Sequence, residues 1–499
     1  MNSYPSLYQI NTHVWLHQLS HDIGRPATLD DIPDDVLDEM ANLSFDWIYF
    51  LSIWQTGTSG RRISRSTPQW LAEYRELLPD LQEDDICGSG FAITAYTLNT
   101  LLGEPEALTR LRDRLQQRGL KLMLDFVPNH TAPDHPWVQT HPEYYVFGSE
   151  EQLARQPQNY IKLDLAQGPT ILAYGRDPYF DGWPDTLQLN YGNPDLQTAL
   201  VNELLKISQW CDGLRSDMAM LVLPEIFQRT WGIAAEPFWP MATQKVREEH
   251  PGFVFMAEVY WDLEWMLQQQ GFDYTYDKRL YDRLRGQQAR PVREHFWADL
   301  DYQKKSARFL ENHDEPRAAA IFPAGVHEAA AVLTFFSPGL RFFHQGQLQG
   351  WLKKISVHLC RGPEQSSDSG LQKFYHRIIA ALRLSVFRNG EWQLLECKPA
   401  WEGNWTSECI IAFAWQGVDE QQALAVVNYA PNQSQCYLTL PWPNLCGQMV
   451  RLKNLIGADS YDRIGDSLLS PGLYLDLPAW GYGAFELIRE GKIAETVCK

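Results

Sequence analysis

Short apolar runs of strand length alternate with amphipathic stretches over about the first 390 residues of the chain, and few architectures accommodate that rhythm. It is the pattern of βα units feeding a parallel sheet. One unit reads in full. Glu104-Pro105-Glu106 places acids and a proline at a helix start, where the dipole favours them and the missing N–H costs nothing. Leu108, Leu111 and Leu115 then share one helical face, and Gly119 offers a left-handed cap. The apolar run Lys121–Val127 follows, with Asp125 toward its C-terminal end. A second unit opens on Asn193-Pro194, an N-cap followed by proline at the first helical position. Leu200, Leu204 and Ile207 supply its stripe, and a strand over Gly213–Ser216 ends at Asp217.

Further strands are expected at Leu7–Trp15, Trp47–Ile53, Phe253–Glu258, Phe272–Tyr276, Ala307–Asn312 and Leu340–His344, making eight in all. Eight βα units most simply close into a TIM-type barrel. The His-, Pro-, Tyr- and Asp-rich stretch after the third strand breaks the rhythm and reads as a loop domain. Beyond about residue 391 the helical period gives way to short strands with turn chemistry between them, an antiparallel β-sandwich domain. The expected organisation is therefore barrel strands 1–3 in residues 1–130, an excursion over 131–190, strands 4–8 in 191–390, and the β domain in 391–499.

Composition narrows the function. Lys and Arg number 43 against 62 Asp and Glu, a formal net charge of −19. So acidic a surface disfavours nucleic-acid phosphates and anionic lipid as partners. No run of 18 or more apolar residues is available to span a membrane, and no secretory signal is read at the start of the sequence. Cys87, Cys211, Cys360, Cys397, Cys409, Cys436, Cys446 and Cys498 are scattered without a CxxC pair, the usage expected of free thiols in the cytoplasm. Nineteen tryptophans supply core rings or platforms for a flat ligand such as a sugar.

In a barrel of this type the active site lies at the C-terminal ends of the strands. Strand 3 ends in Asp125, Asn129 and His130. Strand 4 carries Arg215 and Asp217, two residues apart and so on one side of the chain. Strand 5 ends in Glu258, and strand 7 leads into Asn312-His313-Asp314. Several carboxylates with no thiol and no phosphate loop fit glycoside cleavage, in which one carboxylate meets the anomeric carbon and a second, protonated, serves the departing oxygen. Arg215 would keep Asp217 ionised, and the apolar and aromatic residues flanking Glu258 would suit it as the acid.

These residues carry a family resemblance. Leu124-Asp125-Phe126-Val127-Pro128-Asn129-His130, Gly213-Leu214-Arg215-Ser216-Asp217-Met218-Ala219, Phe255-Met256-Ala257-Glu258 and Phe309-Leu310-Glu311-Asn312-His313-Asp314 resemble, in order, the four motifs of the α-amylase family, glycoside hydrolase family 13. Phe91–Tyr96 is similar to the segment before helix 3, and Pro338–Gln347 to that of strand 8. The resemblance implies Asp217 as nucleophile, Glu258 as general acid/base and Asp314 as third acid. It implies Asp125, His130, Arg215, His313 and Phe91 as substrate-binding residues of a cytoplasmic enzyme acting on maltooligosaccharides. Retention through a glycosyl-enzyme would set the Asp217–Glu258 carboxyl gap at about 5–5.5 Å.

The departures from the family pattern bear on the substrate. Phe91 and His344 stand where tyrosine is common, and Ala95 where an acid is common. Met220-Leu221 replaces a Lys-His pair that serves the leaving side in many endo-acting enzymes. The chemistry requires no cofactor. Structural calcium stays open, with Asn129 and Asp185 as candidate ligands. The expected function is hydrolysis of α-1,4-linked glucans. The alternatives are glucan transfer through the same intermediate, and a non-catalytic relative acting as a binding subunit.

Overall fold

The computed structural model describes residues 2–492. Eight strands form a closed parallel barrel: β1 (Ser6–Asn11), β2 (Trp47–Leu51), β3 (Lys121–Phe126), β4 (Gly213–Ser216), β5 (Val254–Ala257), β6 (Tyr274–Tyr276), β7 (Ser306–Arg308) and β8 (Leu340–His344). Each strand neighbours its sequence neighbours, and β8 returns to β1. The strands are largely apolar because both faces are covered: all five residues of β2 and of β8 are buried, Arg341 and His344 included. The helix Glu106–Gln116 buries Leu108, Leu111 and Leu115, and Gly119 beyond it adopts φ +74. The helix Pro194–Ile207 is capped by the Asn193 side chain, which accepts from the Asp195 N–H.

The first strand is shorter than its apolar run. It ends at Asn11, whose side chain accepts from the Val14 N–H and opens the helix Thr12–Ile23. Val14 and Trp15 extend the apolar run but belong to that helix.

By packing, the chain divides into two compact units. One comprises Tyr8–Tyr276 with Lys353–Glu364; the other comprises residues 1–7, Asp277–Leu352 and 365–499. Within the first, residues 131–190 hold a hairpin of Tyr160–Leu165 with Gly168–Ala173, and Leu187–Gln188 pairs with His130–Thr131.

The second unit carries the antiparallel strands β9 (Glu391–Leu395), β10 (Cys397–Pro399), β11 (Ile410–Gln416), β12 (Gln422–Asn428), β13 (Ser434–Leu438), β14 (Gln448–Asn454), β15 (Ser460–Ile464), β16 (Leu473–Leu477) and β17 (Tyr482–Lys492). Six form one sheet in the order β9-β11-β12-β17-β14-β15, and β10-β13-β16 form another. Ile410, Leu424, Val426 and Val450 of the first sheet share a core with Cys436, Leu438 and Leu473 of the second. Six cysteines are free thiols, but Cys446 is disulfide-bonded, which corrects the reading of all as free. Cys498 lies outside the described residues. No helix among the described residues is long and apolar enough to cross a membrane.

Candidate active site

Barrel register builds the site. Asp125 on β3 is the direct partner of Arg215 on β4, and Arg215 is also paired with Met256 on β5. The ladder continues one step past the strands: the Asp217 N–H donates to Phe126 O at 2.8 Å, and the Glu258 N–H to Ser216 O at 3.0 Å. Asp217 and Glu258 thus stand side by side at the mouths of adjacent strands.

Arg215 joins them. Its side chain is 0% exposed. Nη1 donates to Asp217 Oδ1 at 2.8 Å and Nη2 to Glu258 Oε2 at 2.7 Å. Nη1 also lies 3.5 Å from Asp125 Oδ1. Burial opposes the Arg215 charge, but Glu258 first, with Tyr49, Tyr276 and Asp217, outweighs it and holds the guanidinium well above its ordinary pKa. The Phe91 ring centroid lies 5.2 Å from the guanidinium carbon and that of Tyr276 5.8 Å, within cation–π range.

Asp125 is held from β2 and the turn beyond it. The Tyr49 hydroxyl donates to Oδ1, and the Ser52 N–H donates to Oδ2 at 2.8 Å. Ser52 adopts φ +64 to do so, a conformation that costs a non-glycine residue about 1–3 kcal/mol. Gly90 passes so close to it that a Cβ there would lie 2.2 Å from that of Ser52. Glu258 departs from the apolar setting read in its neighbours. Oε2 accepts from Arg215 and from the Met218 N–H at 2.8 Å, and Oε1 from the Tyr260 hydroxyl at 2.7 Å. Met218 reaches that bond from φ +42.

His130 is buried, and burial pushes its pKa down to about 3, so the ring is neutral. It packs 5.3 Å from the Trp183 ring. In the second unit His313 Nε2 lies 3.0 Å from Asp314 Oδ2. The Asn312 side chain accepts from the N–H groups of Asp314 and Glu315 at 2.8 and 2.9 Å, turning the chain at the end of the seventh barrel segment. His344 is buried, its N–H donating to Gln347 Oε1 at 3.1 Å. Met220 and Leu221, read as part of the leaving side, are buried in the short helix Ala219–Val222.

Sequence reasoning did not reach Tyr49, Ser52, Tyr260, Tyr276 or the backbone of Met218. Only Tyr260 carried a signal, since two residues beyond Glu258 it shares that residue's side of an extended chain. Of the calcium candidates, Asn129 Oδ1 accepts from Gln188 Nε2 at 2.9 Å. Asp185 is buried with no hydrogen-bond partner at Oδ2. Among the described residues no three His, Cys, Asp or Glu side chains stand together as a metal-ligand group.

The family model "Alpha amylase, catalytic domain" matches residues 80–375. Alpha-amylase 3 of Dictyoglomus thermophilum is 22% identical over 310 residues, covering 57% of this chain and 58% of that protein. Maltase 1 of Drosophila virilis is 22% identical over 429 residues, 74% of this chain and 64% of that protein. The chain thus spans about six-tenths of the length of these relatives. A maltogenic α-amylase of Thermotoga neapolitana superposes with a TM-score of 0.69 at 18% identity, over 97% of this chain and 99% of that one, which bears on the fold.

Proposed function

The chain belongs to the α-amylase family, and from that premise we propose that it is a retaining glycoside hydrolase cleaving α-1,4-linked maltooligosaccharides. The observation that carries the reading is the buried Arg215 guanidinium shared by Asp217 and Glu258 at 2.8 and 2.7 Å. One counter-charge fixes two carboxyl groups at adjacent strand ends, as a nucleophile and a proton donor flanking one bond require.

In this proposal Asp217 attacks the anomeric carbon. Arg215 occupies its Oδ1 and keeps it ionised. Glu258 gives its proton to the departing oxygen and then takes one from water. Oε2 is committed to Arg215 and Met218, so Oε1, beside the Tyr260 hydroxyl, is the oxygen that carries the proton. Asp314 is assigned to the sugar hydroxyls of the distorted ring. Asp125, His130, Arg215, His313 and Phe91 are assigned to substrate binding, His130 as a neutral hydrogen-bonding group. A reducing, cytoplasmic location is favoured by the six free cysteines and opposed by the bond at Cys446.

The test is digestion of a maltose-to-maltohexaose series with the first-formed anomer read by NMR. Release of the α anomer with shorter products supports the reading, and initial release of the β anomer refutes it. Products longer than the substrate establish transfer instead. The apolar, buried Met220 and Leu221, where a leaving-side polar pair was looked for, favour keeping transfer as the second reading.

A further inference from the structure

We propose that Cys87 and Cys360 form a redox-modification site, a dithiol that a low-molecular-weight disulfide oxidises to an intramolecular disulfide. The backbone puts the two residues together. Ile86 and Leu359 form an isolated antiparallel bridge. The Cys87 N–H donates to His358 O and the Cys360 N–H to Asp85 O, both at 2.9 Å. Cys87 and Cys360 therefore lie diagonally on one face of the pair, opposite to Ile86 and Leu359. The Cys87 thiol donates to His358 O at 3.4 Å and the Cys360 thiol to Asp84 O at 3.3 Å, both across the same bridge, and each thiol shifts the other's pKa.

The apposition does not depend on a sulfur–sulfur bond. Ile86, Ile355 and Leu359 are buried in one cluster with Tyr74 and Leu78. Arg361, next to Cys360, binds both carboxyl oxygens of Asp85 at 2.7 Å. The register that puts both thiols on one face is thus set by contacts other than the sulfurs, so oxidation joins groups the fold already holds side by side. Both thiols are only partly buried. The neighbouring Cys87 thiol holds the Cys360 thiol below its ordinary pKa although burial pushes the other way, which makes Cys360 the attacking sulfur.

The exchange balances. The Cys360 thiolate attacks one sulfur of the external disulfide, a Cys360–sulfur bond forms, and one external thiolate leaves. Cys87 loses its proton and attacks the Cys360 sulfur, the second external thiolate leaves, and each external thiolate takes a proton. Two protein thiols are oxidised and one external disulfide is reduced to two thiols.

The experiment treats the full chain with oxidised glutathione, quenches free thiols by alkylation and maps the unreduced digest by mass spectrometry. The expected product is a cross-linked peptide pair joining Cys87 to Cys360, with an upward shift of the urea unfolding midpoint that dithiothreitol reverses. In Cys87→Ser the reaction should stop with glutathione held on Cys360. Recovery of Cys87 and Cys360 unlinked from the wild-type chain, or of stable glutathione on either, overturns the proposal, and that readout needs no substituted protein to fold.

Discussion

Arg215 on β4 donates to Glu258 at the end of β5 at 2.7 Å, while its other terminal nitrogen donates to Asp217 at 2.8 Å. Asp125 adds a third carboxylate at 3.5 Å. One buried cation thus faces three carboxylates. Like charges so close are tolerated only while the cation is present.

Replacement of Arg215 therefore tests the centre of the site. Arg215→Met keeps volume and removes the charge, leaving Asp125, Asp217 and Glu258 without their shared counter-ion. Removing one partner of a buried pair costs about 3–5 kcal/mol. We expect a urea midpoint lowered to match, with loss of activity on maltotriose. Arg215→Lys should keep much of the stability but not the activity, because a single ammonium cannot serve two carboxylates as a fork does. Full activity in the lysine variant would refute the shared-fork account.

The two carboxylates assigned to chemistry separate from the rest by what their amides do. Asp217→Asn and Glu258→Gln preserve shape and most hydrogen bonds, so unfolding should change little. Glu258→Gln should lower kcat by about 10²–10⁴-fold, the range for a positioned acid/base, and Asp217→Asn by at least as much. With a substrate whose leaving group needs no proton, such as an activated aryl glycoside, Glu258→Gln should regain the glycosylation step and Asp217→Asn should not. Equal behaviour of the two variants on that substrate would remove the division of roles.

Phe91 offers a finer discrimination. Its ring lies 5.2 Å from the Arg215 guanidinium carbon, a contact worth about 2 kcal/mol when desolvated. A ring that only stacked on sugar would, when removed, raise KM. A ring that positions Arg215 would, when removed, lower kcat. If the ring does both, Phe91→Ala should raise KM and also lower kcat about 10-fold or more, with Phe91→Tyr close to wild type. A change confined to KM would leave Phe91 with the substrate-binding role alone.

Much of this was legible in the sequence because barrel strands buried on both faces read as unbroken apolar runs, and the acids that end them interrupt those runs. Trp47–Leu51 is such a run. The run Leu7–Trp15 misled because apolar residues continue across a strand-to-helix boundary, where composition does not change. Strand Ser460–Ile464 gave no signal, since all five residues are exposed at a sheet edge. Within the site, the acids announced themselves by position. The groups that orient them did not. Tyr49 and Ser52 reach Asp125 across more than 70 residues of sequence, and the Met218 amide acts through a backbone angle that its side chain does not advertise.

Asp185 carries a pH dependence whose sign can be worked out. Burial raises its pKa to about 6, opposed by its own backbone N–H. The folded chain therefore binds a proton that the unfolded chain has released between about pH 4 and 6. Stability from this group is present below that window and is lost as pH rises through it, about 3 kcal/mol in all at 1.36 kcal/mol per unit. Asp185→Asn cannot ionise. Whatever the amide costs or contributes in packing is the same at every pH. The histidines that burial holds low, among them His13, His135, His327 and His358 at about 4 and His130 at about 3, titrate in both proteins and cancel in the comparison. Urea unfolding in the presence of a chelator should therefore show the asparagine variant gaining on wild type by about 2 kcal/mol between pH 4.5 and 7.5, the rest being lost below pH 4.5. A difference that stays constant across that range would mean that the carboxyl is ionised throughout and is held by a partner other than burial allows.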